Sequence, residues 1–155
     1  MSDDVSYLTP EKFDELKREH AFLTTTRRKE IADSLEYARS LGDLSENAEY
    51  AEARELQAAT EERIQRLESI LANAKILTKK KSDVVTLGSK VTIVKNGEKE
   101  SHTYTIVGSE ETNMFERKLS HLSPLGTSLM GKKKGDEFSL DTPNGKQKYK
   151  VLSVE

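Results

Sequence analysis

The chain has 155 residues, a formal net charge of -2, 34% hydrophobic and 34% charged residues, and a mean hydropathy of -0.71. Such a polar chain can bury one modest globular core, and no apolar run in it approaches the ~18 residues that a membrane span needs. The absence of cysteine excludes disulfides, thiolate chemistry and cysteine-ligated zinc, and His20, His102 and His121 are too scattered to suggest a metal cluster, so any metal is expected to be held by oxygen.

The opening Met1-Ser2-Asp3-Asp4 lacks the basic and apolar regions of a signal peptide, which makes the cytoplasm the expected location. Thr9-Pro10 then predicts a helix start, a hydroxyl cap followed by a proline whose missing N–H would have had no partner there. Phe13, Leu16, Leu23, Ile31, Leu35 and Ala38 recur mostly at spacings of three, four or their sums and form one stripe. Gly42 ends the helix, because a glycine just past the last turn can take the left-handed conformation that closes the final carbonyls. A second helix is expected to run to about Ala74, with Ile64, Leu67, Leu71 and Ala74 spaced as the seam of a two-stranded coiled coil. Each arm of about 30 residues would be ~45 Å long at 1.5 Å per residue. The connection Gly42-Asp43-Leu44-Ser45-Glu46-Asn47 is too short for anything but an antiparallel pair. Residues 1–78 therefore read as a coiled-coil hairpin carrying Asp43 and Glu46 at its tip.

Charge is unevenly spread along that hairpin. From Glu36 to Glu62 the acids are Glu36, Asp43, Glu46, Glu49, Glu52, Glu55, Glu61 and Glu62, against only Arg39 and Arg54, while Arg27, Arg28 and Lys29 cluster farther from the tip. The distal hairpin is acidic, which argues against nonspecific binding to a phosphate backbone. A bland reading is a solvated surface laced with ion pairs four residues apart, as Glu62 and Arg66 would make. Nearer the tip it weakens, because the residues four places after Glu46, Glu49, Glu52 and Glu55 are Tyr50, Ala53, Leu56 and Ala59. A second bland reading has Asp43 capping the second helix and Glu46 reaching back from three residues on, as in a capping box. Ser45 and Asn47 read as local capping and turn residues.

The second half changes period and composition. Residues 79–83, Lys-Lys-Lys-Ser-Asp, carry no apolar side chain and read as a linker. In residues 84–155, Val91 and Ile93 alternate with polar residues, Asn96-Gly97 is a strong hairpin signal, and Tyr104, Ile106 and Val107 supply a returning strand. Ser123-Pro124 predicts a short capped helix with Leu125, Leu129 and Met130 on one face and Gly131 closing it. Phe138 to Leu140 and Tyr149 to Val154 flank a Pro143-Asn144-Gly145 turn. The expected fold class is α+β: an N-terminal antiparallel helical hairpin, then a small antiparallel sheet packed on one short helix.

The ten residues Leu41 to Tyr50, with Arg54 following, resemble the hairpin-tip signature of the bacterial transcript-cleavage factors GreA and GreB. Leu119 to Gly126, then Leu129-Met130-Gly131-Lys132 and Gly135-Asp136-Glu137, resemble the C-terminal domain of that family, which is FKBP-like in fold. With Thr142 to Gly145 the resemblance covers nearly the whole chain in order and spacing, and it is nearer to GreA because the tip region lacks the added basic residues of GreB-like proteins.

The resemblance implies a protein, expected to act as a monomer, that docks on RNA polymerase through its C-terminal domain and passes its coiled coil down the secondary channel. Its tip acids would share catalytic Mg²⁺ with the polymerase and stimulate that enzyme's own cleavage of backtracked RNA. Asp43 would chiefly bind the ion and Glu46 would orient or help deprotonate the attacking water. Tyr50 would stack near the RNA 3′ end or pack against the partner helix. Arg27, Arg28, Arg39 and Arg54 would attract the extruded RNA or pair with neighbouring glutamates. Leu122, Ser123, Pro124 and Leu125 would contribute to polymerase docking, with Leu122 standing where a polar or acidic residue is expected and burial in the domain's own core as the rival role of Pro124 and Leu125. Two other classes compete: a Gre-like inhibitor of the same channel, against which the presence of both acids argues, and a prolyl isomerase, suggested only by the fold of the second domain.

Overall fold

The computed structural model describes residues 5–43, 46–78 and 82–155. The tip residues Leu44 and Ser45 and the lysines of the expected linker, residues 79–81, lie outside them.

Residues Glu11–Ala74 form one compact unit. Its first arm is α1 (Pro10–Phe22), a π-helical stretch (Leu23–Arg27) and α2 (Arg28–Ser40); its second is α3 (Ala48–Ala72). The arms are antiparallel: Glu19 meets Arg63, His20 meets Glu68 and Arg28 meets Glu61, so numbers rising on one arm meet falling numbers on the other. The buried stripe is Leu16, Ile31, Leu35 and Ala38 against Ala53, Thr60, Ile64, Leu67 and Ile70. Phe13 and Leu23 are half-buried, as is Leu71, and Ala74 has left the helix for a strand.

The π-helical stretch has a sequence cause. At 100° per residue, seven residues fall about 20° short of two turns, whereas the eight from Leu23 to Ile31 overshoot by about 80°. One widened turn absorbs the extra residue and returns Ile31 to the seam, where it is 3% exposed. The threonines suit the spot: Thr24 Oγ1 donates to the His20 carbonyl at 2.8 Å and Thr25 Oγ1 to the Ala21 carbonyl at 2.6 Å.

The second unit joins Lys75–Glu155 with Ser6–Pro10, the segment that leads into α1, a division that differs from one placing residues 1–78 together. Strand β1 (Ser6–Leu8) pairs with β2 (Ala74–Ile76) in a two-stranded sheet, and Leu77 N donates to Leu8 O at 2.8 Å. Leu8 is wholly buried, Tyr7 meets His121 edge to face, and Thr9 donates from both its amide and hydroxyl to the buried Glu111 carboxylate at 2.6 and 2.9 Å.

The main sheet holds β3 (Lys90–Lys95), β4 (Ser101–Val107), β5 (Lys118–Ser120), β6 (Glu137–Thr142) and β7 (Gly145–Val154) in the order β5-β4-β3-β7-β6. It is mixed, not wholly antiparallel, because β5 runs parallel to β4 with Ile106 opposite Leu119. The helical turns at residues 109–111 and 114–116 between the two strands supply the connection that a parallel pair needs. The β3 and β4 strands pair from Val94 and Ser101, so the Asn96-Gly97 turn sits in a longer connection than a two-residue hairpin. Thr142 and Gly145 do close a two-residue one. The core is Val85, Val91, Ile93, Ile106, Leu119, Leu129, Phe138 and Val151, with Leu129 coming from α4 (Pro124–Leu129).

Candidate functional site

The tip of the hairpin is assembled from two helix ends. The last turn of α2 passes through Leu41 to Gly42, whose φ of +117° is a conformation that costs a side-chain-bearing residue free energy. Asn47, at φ -89° and ψ 100°, is the cap of α3: its Oδ1 accepts from Tyr50 N at 3.1 Å. The cap of α3 is therefore Asn47 and not Asp43, and Glu46 precedes the cap instead of standing three residues after it. Both residues are exposed. Each lies within four residues of Asn47, and Glu46 adjoins it.

Tyr50 is half-buried and packs on the cluster of Ile31, Leu35 and Ala53, so the structure gives it the packing role of its two expected ones. The large exposed side chains near the tip are Tyr37 and Leu41, 61% and 52% exposed. Tyr37, two residues past Leu35, falls off the apolar stripe, whereas Leu41 follows Ala38 by three residues and lies past the end of α2.

The four arginines do not form one patch. Arg27 pairs with Glu30 at 3.2 Å and lies over the Phe22 ring. Arg28 makes a two-pronged contact with Glu61, 2.8 Å from Nε and 2.9 Å from the terminal nitrogen, and this hydrogen bonding raises the Arg28 pKa and lowers that of Glu61. Arg54 donates to Gln57 at 2.8 Å, and Arg39 is exposed. Eleven residues separate Arg28 from Arg39, about 16 Å along a helix. Arg39 and Arg54 are the two near the tip.

In the second unit, Leu122 is 69% exposed and Pro124 is exposed, whereas Leu125 packs partly on the core. Ser123 holds their backbone: its Oγ accepts from Gly126 N at 3.0 Å and donates to Ser120 O at 2.7 Å. Gly126 has no alternative, since a Cβ there would collide with the Ser120 carbonyl. Of the four expected docking residues, Leu122 and Pro124 present surface, Ser123 builds the turn and Leu125 is mostly structural.

A capped helical hairpin ending in paired acids, together with a mixed β-domain, defines a class that sequence comparison places. Residues 6–76 match the model "Transcription elongation factor, N-terminal" and residues 79–155 match "Transcription elongation factor, GreA/GreB, C-term". The chain belongs to the GreA/GreB family of transcription elongation factors. It is 42% identical to the transcription elongation factor GreA of Geobacillus kaustophilus, over the full length of both chains, and 43% identical to that of Bacillus subtilis over 95% of this chain and 94% of the relative. Among solved structures, GreA factor homolog 1 of Thermus thermophilus is 28% identical, covers 97% of this chain and 99% of its own, and superposes with a TM-score of 0.42. The family assignment rests on the sequence matches. Among the described residues no helix is long and apolar enough to cross a membrane.

Proposed function

We propose that this protein binds RNA polymerase, enters its secondary channel with the helical hairpin, and stimulates the polymerase's own cleavage of backtracked RNA, rescuing arrested complexes. It is a coactivator that lends side chains to another protein's active site. The observation that carries this reading is the pair Asp43 and Glu46, both exposed in the short connection between α2 and α3.

The chemistry of the donor set fits a shared magnesium ion. Mg²⁺ takes oxygen ligands in a near-octahedral shell, commonly one or two carboxylates with waters and substrate phosphates, and would supply charge stabilisation at the attacking and leaving oxygens. Two acids are a partial shell that the polymerase would complete; among the described residues no three His, Cys, Asp or Glu side chains group as a metal site. In this reading Asp43 offers oxygen to the ion, and Glu46 accepts a hydrogen bond from the attacking water and orients it. Arg39 and Arg54, the arginines near the tip, draw in the extruded RNA 3′ end. Leu122 and Pro124 supply apolar surface for docking.

The experiment is RNA cleavage in a stalled, backtracked elongation complex. Asp43→Asn and Glu46→Gln are each expected to lose roughly 10²–10⁴-fold in rate, as for a positioned catalytic group, with polymerase binding retained. Wild-type cleavage by both variants would overturn the assignment of the acids. A wild-type protein that binds polymerase and lowers nucleotide addition without cleavage would instead support the second reading, a channel inhibitor.

A further inference from the structure

The Asn47 carboxamide does two things at once. Its Oδ1 accepts from Tyr50 N, capping α3, and its Nδ2 donates to the Ala38 carbonyl of α2 at 2.6 Å. Ala38 O also accepts from Leu41 N at 3.2 Å, but it belongs to the last turn of α2 and lacks the usual donor four residues on, since Gly42 N donates to Arg39 O. One side chain thus satisfies an orphan donor of one arm and an acceptor of the other, closing the loop of residues 39–46 that carries both acids. Only a primary amide of this length has the donor and the acceptor needed. Aspartate and serine cap helices about as well as asparagine, but a carboxylate has no hydrogen to offer the Ala38 carbonyl and a serine hydroxyl is too short to span to it while capping.

We propose that Asn47 is a positioning residue for transcript cleavage: its tie to the Ala38 carbonyl holds Asp43 and Glu46 where they can act, apart from its capping of α3. This rests on the cleavage-factor reading above. A displacement of about 1 Å in a catalytic group can cost roughly 10²-fold in rate. An untied loop would leave such placement to thermal motion.

The test compares Asn47→Asp and Asn47→Ser with the wild type and with Asp43→Asn. In the free protein, the wild-type Asn47 side-chain amide should show slow hydrogen exchange by NMR, and both Asn47 variants should keep the helix content and Tyr50 amide protection of the wild type. In the backtracked-complex assay both should lower the maximal cleavage rate roughly 10²-fold at saturating factor, with the half-saturating factor concentration unchanged. Agreement between the charged and the neutral replacement excludes an effect of added charge. Fast exchange of the Asn47 amide, loss of helix or of docking in both variants, or wild-type cleavage by both beside an inactive Asp43→Asn would overturn the proposal while leaving the cleavage reading standing. Wild-type cleavage by all three variants would overturn the cleavage reading itself, and the proposal with it.

Discussion

Shortening the hairpin tests whether its tip acts by delivery, and the structure dictates how the cut must be made. Because of the π-helical turn the arms are not equivalent: eight residues must leave the first arm and seven the second. Removing residues 23–30 places Ile31 seven positions after Leu16; removing residues 60–66 puts Leu67 in the place of Thr60 and Leu71 in the place of Ile64. The tip layer of Ile31, Leu35, Ala53 and Tyr50 is untouched, as is the tie from Asn47 to Ala38. The cut removes the Arg28–Glu61 and Glu19–Arg63 pairs, which are surface contacts of small net worth. Seven residues at 1.5 Å shorten the hairpin by ~10 Å, against an Mg–O ligand distance of ~2.1 Å. The variant should remain helical by circular dichroism and compete with the wild type for polymerase, yet lose at least ~10²-fold in cleavage at any magnesium concentration, since added magnesium fills a weak site without moving its ligands. Full cleavage by the shortened protein would refute delivery and favour action from the polymerase surface. A companion cut of residues 24–30 leaves Ile31 eight positions after Leu16 and about 80° off the seam, and should melt well below the first variant; equal melting would refute the account of the π turn.

Further outcomes follow from individual residues. Tyr50→Ala should destabilise the hairpin by about 2–4 kcal/mol through lost packing, whereas Tyr37→Ala should stay within ~0.5 kcal/mol; urea unfolding of the two variants decides, and equal effects would contradict the assigned packing. Arg117 has a φ of +57°, so Arg117→Gly should be more stable than Arg117→Ala by about 1 kcal/mol, both variants having lost the contacts to Tyr104 and His102. The Arg63 hydrogen bond holds the Glu19 carboxyl below its ordinary value of 4.5, and Arg28 does the same for Glu61. A depressed carboxylate contributes stability that is present above the ordinary value and lost as pH falls through the folded one, so hairpin melting should be flat above about pH 5.5 and fall below 4.5. Glu19→Gln should flatten that fall and lower stability at pH 7 by no more than ~1 kcal/mol, an effect that 1 M salt should shrink.

The amino-acid sequence by itself determined what depends on neighbours along the chain. The stripe from Leu16 to Ala38, the glycine stop at Gly42, the Ser123-Pro124 helix start and the Pro143-Asn144-Gly145 turn are local patterns whose periods and dihedral demands name the structure they form. The acidic tip is legible for the same reason, since a short connection between two long helices has one place to be. Tertiary structure decided what depends on partners distant in sequence. Strand β1 is three residues long and exists because Ala74–Ile76 and Glu111 meet it; β5 is parallel because Ile106 finds Leu119; Tyr50 turns inward because Ile31 and Leu35 are there to receive it. The choice of Asn47 over Asp43 as the cap of α3 is of the same kind. Both residues can cap a helix, but only the amide can also donate to a carbonyl of the opposite arm, and that carbonyl comes within reach only once the hairpin has closed.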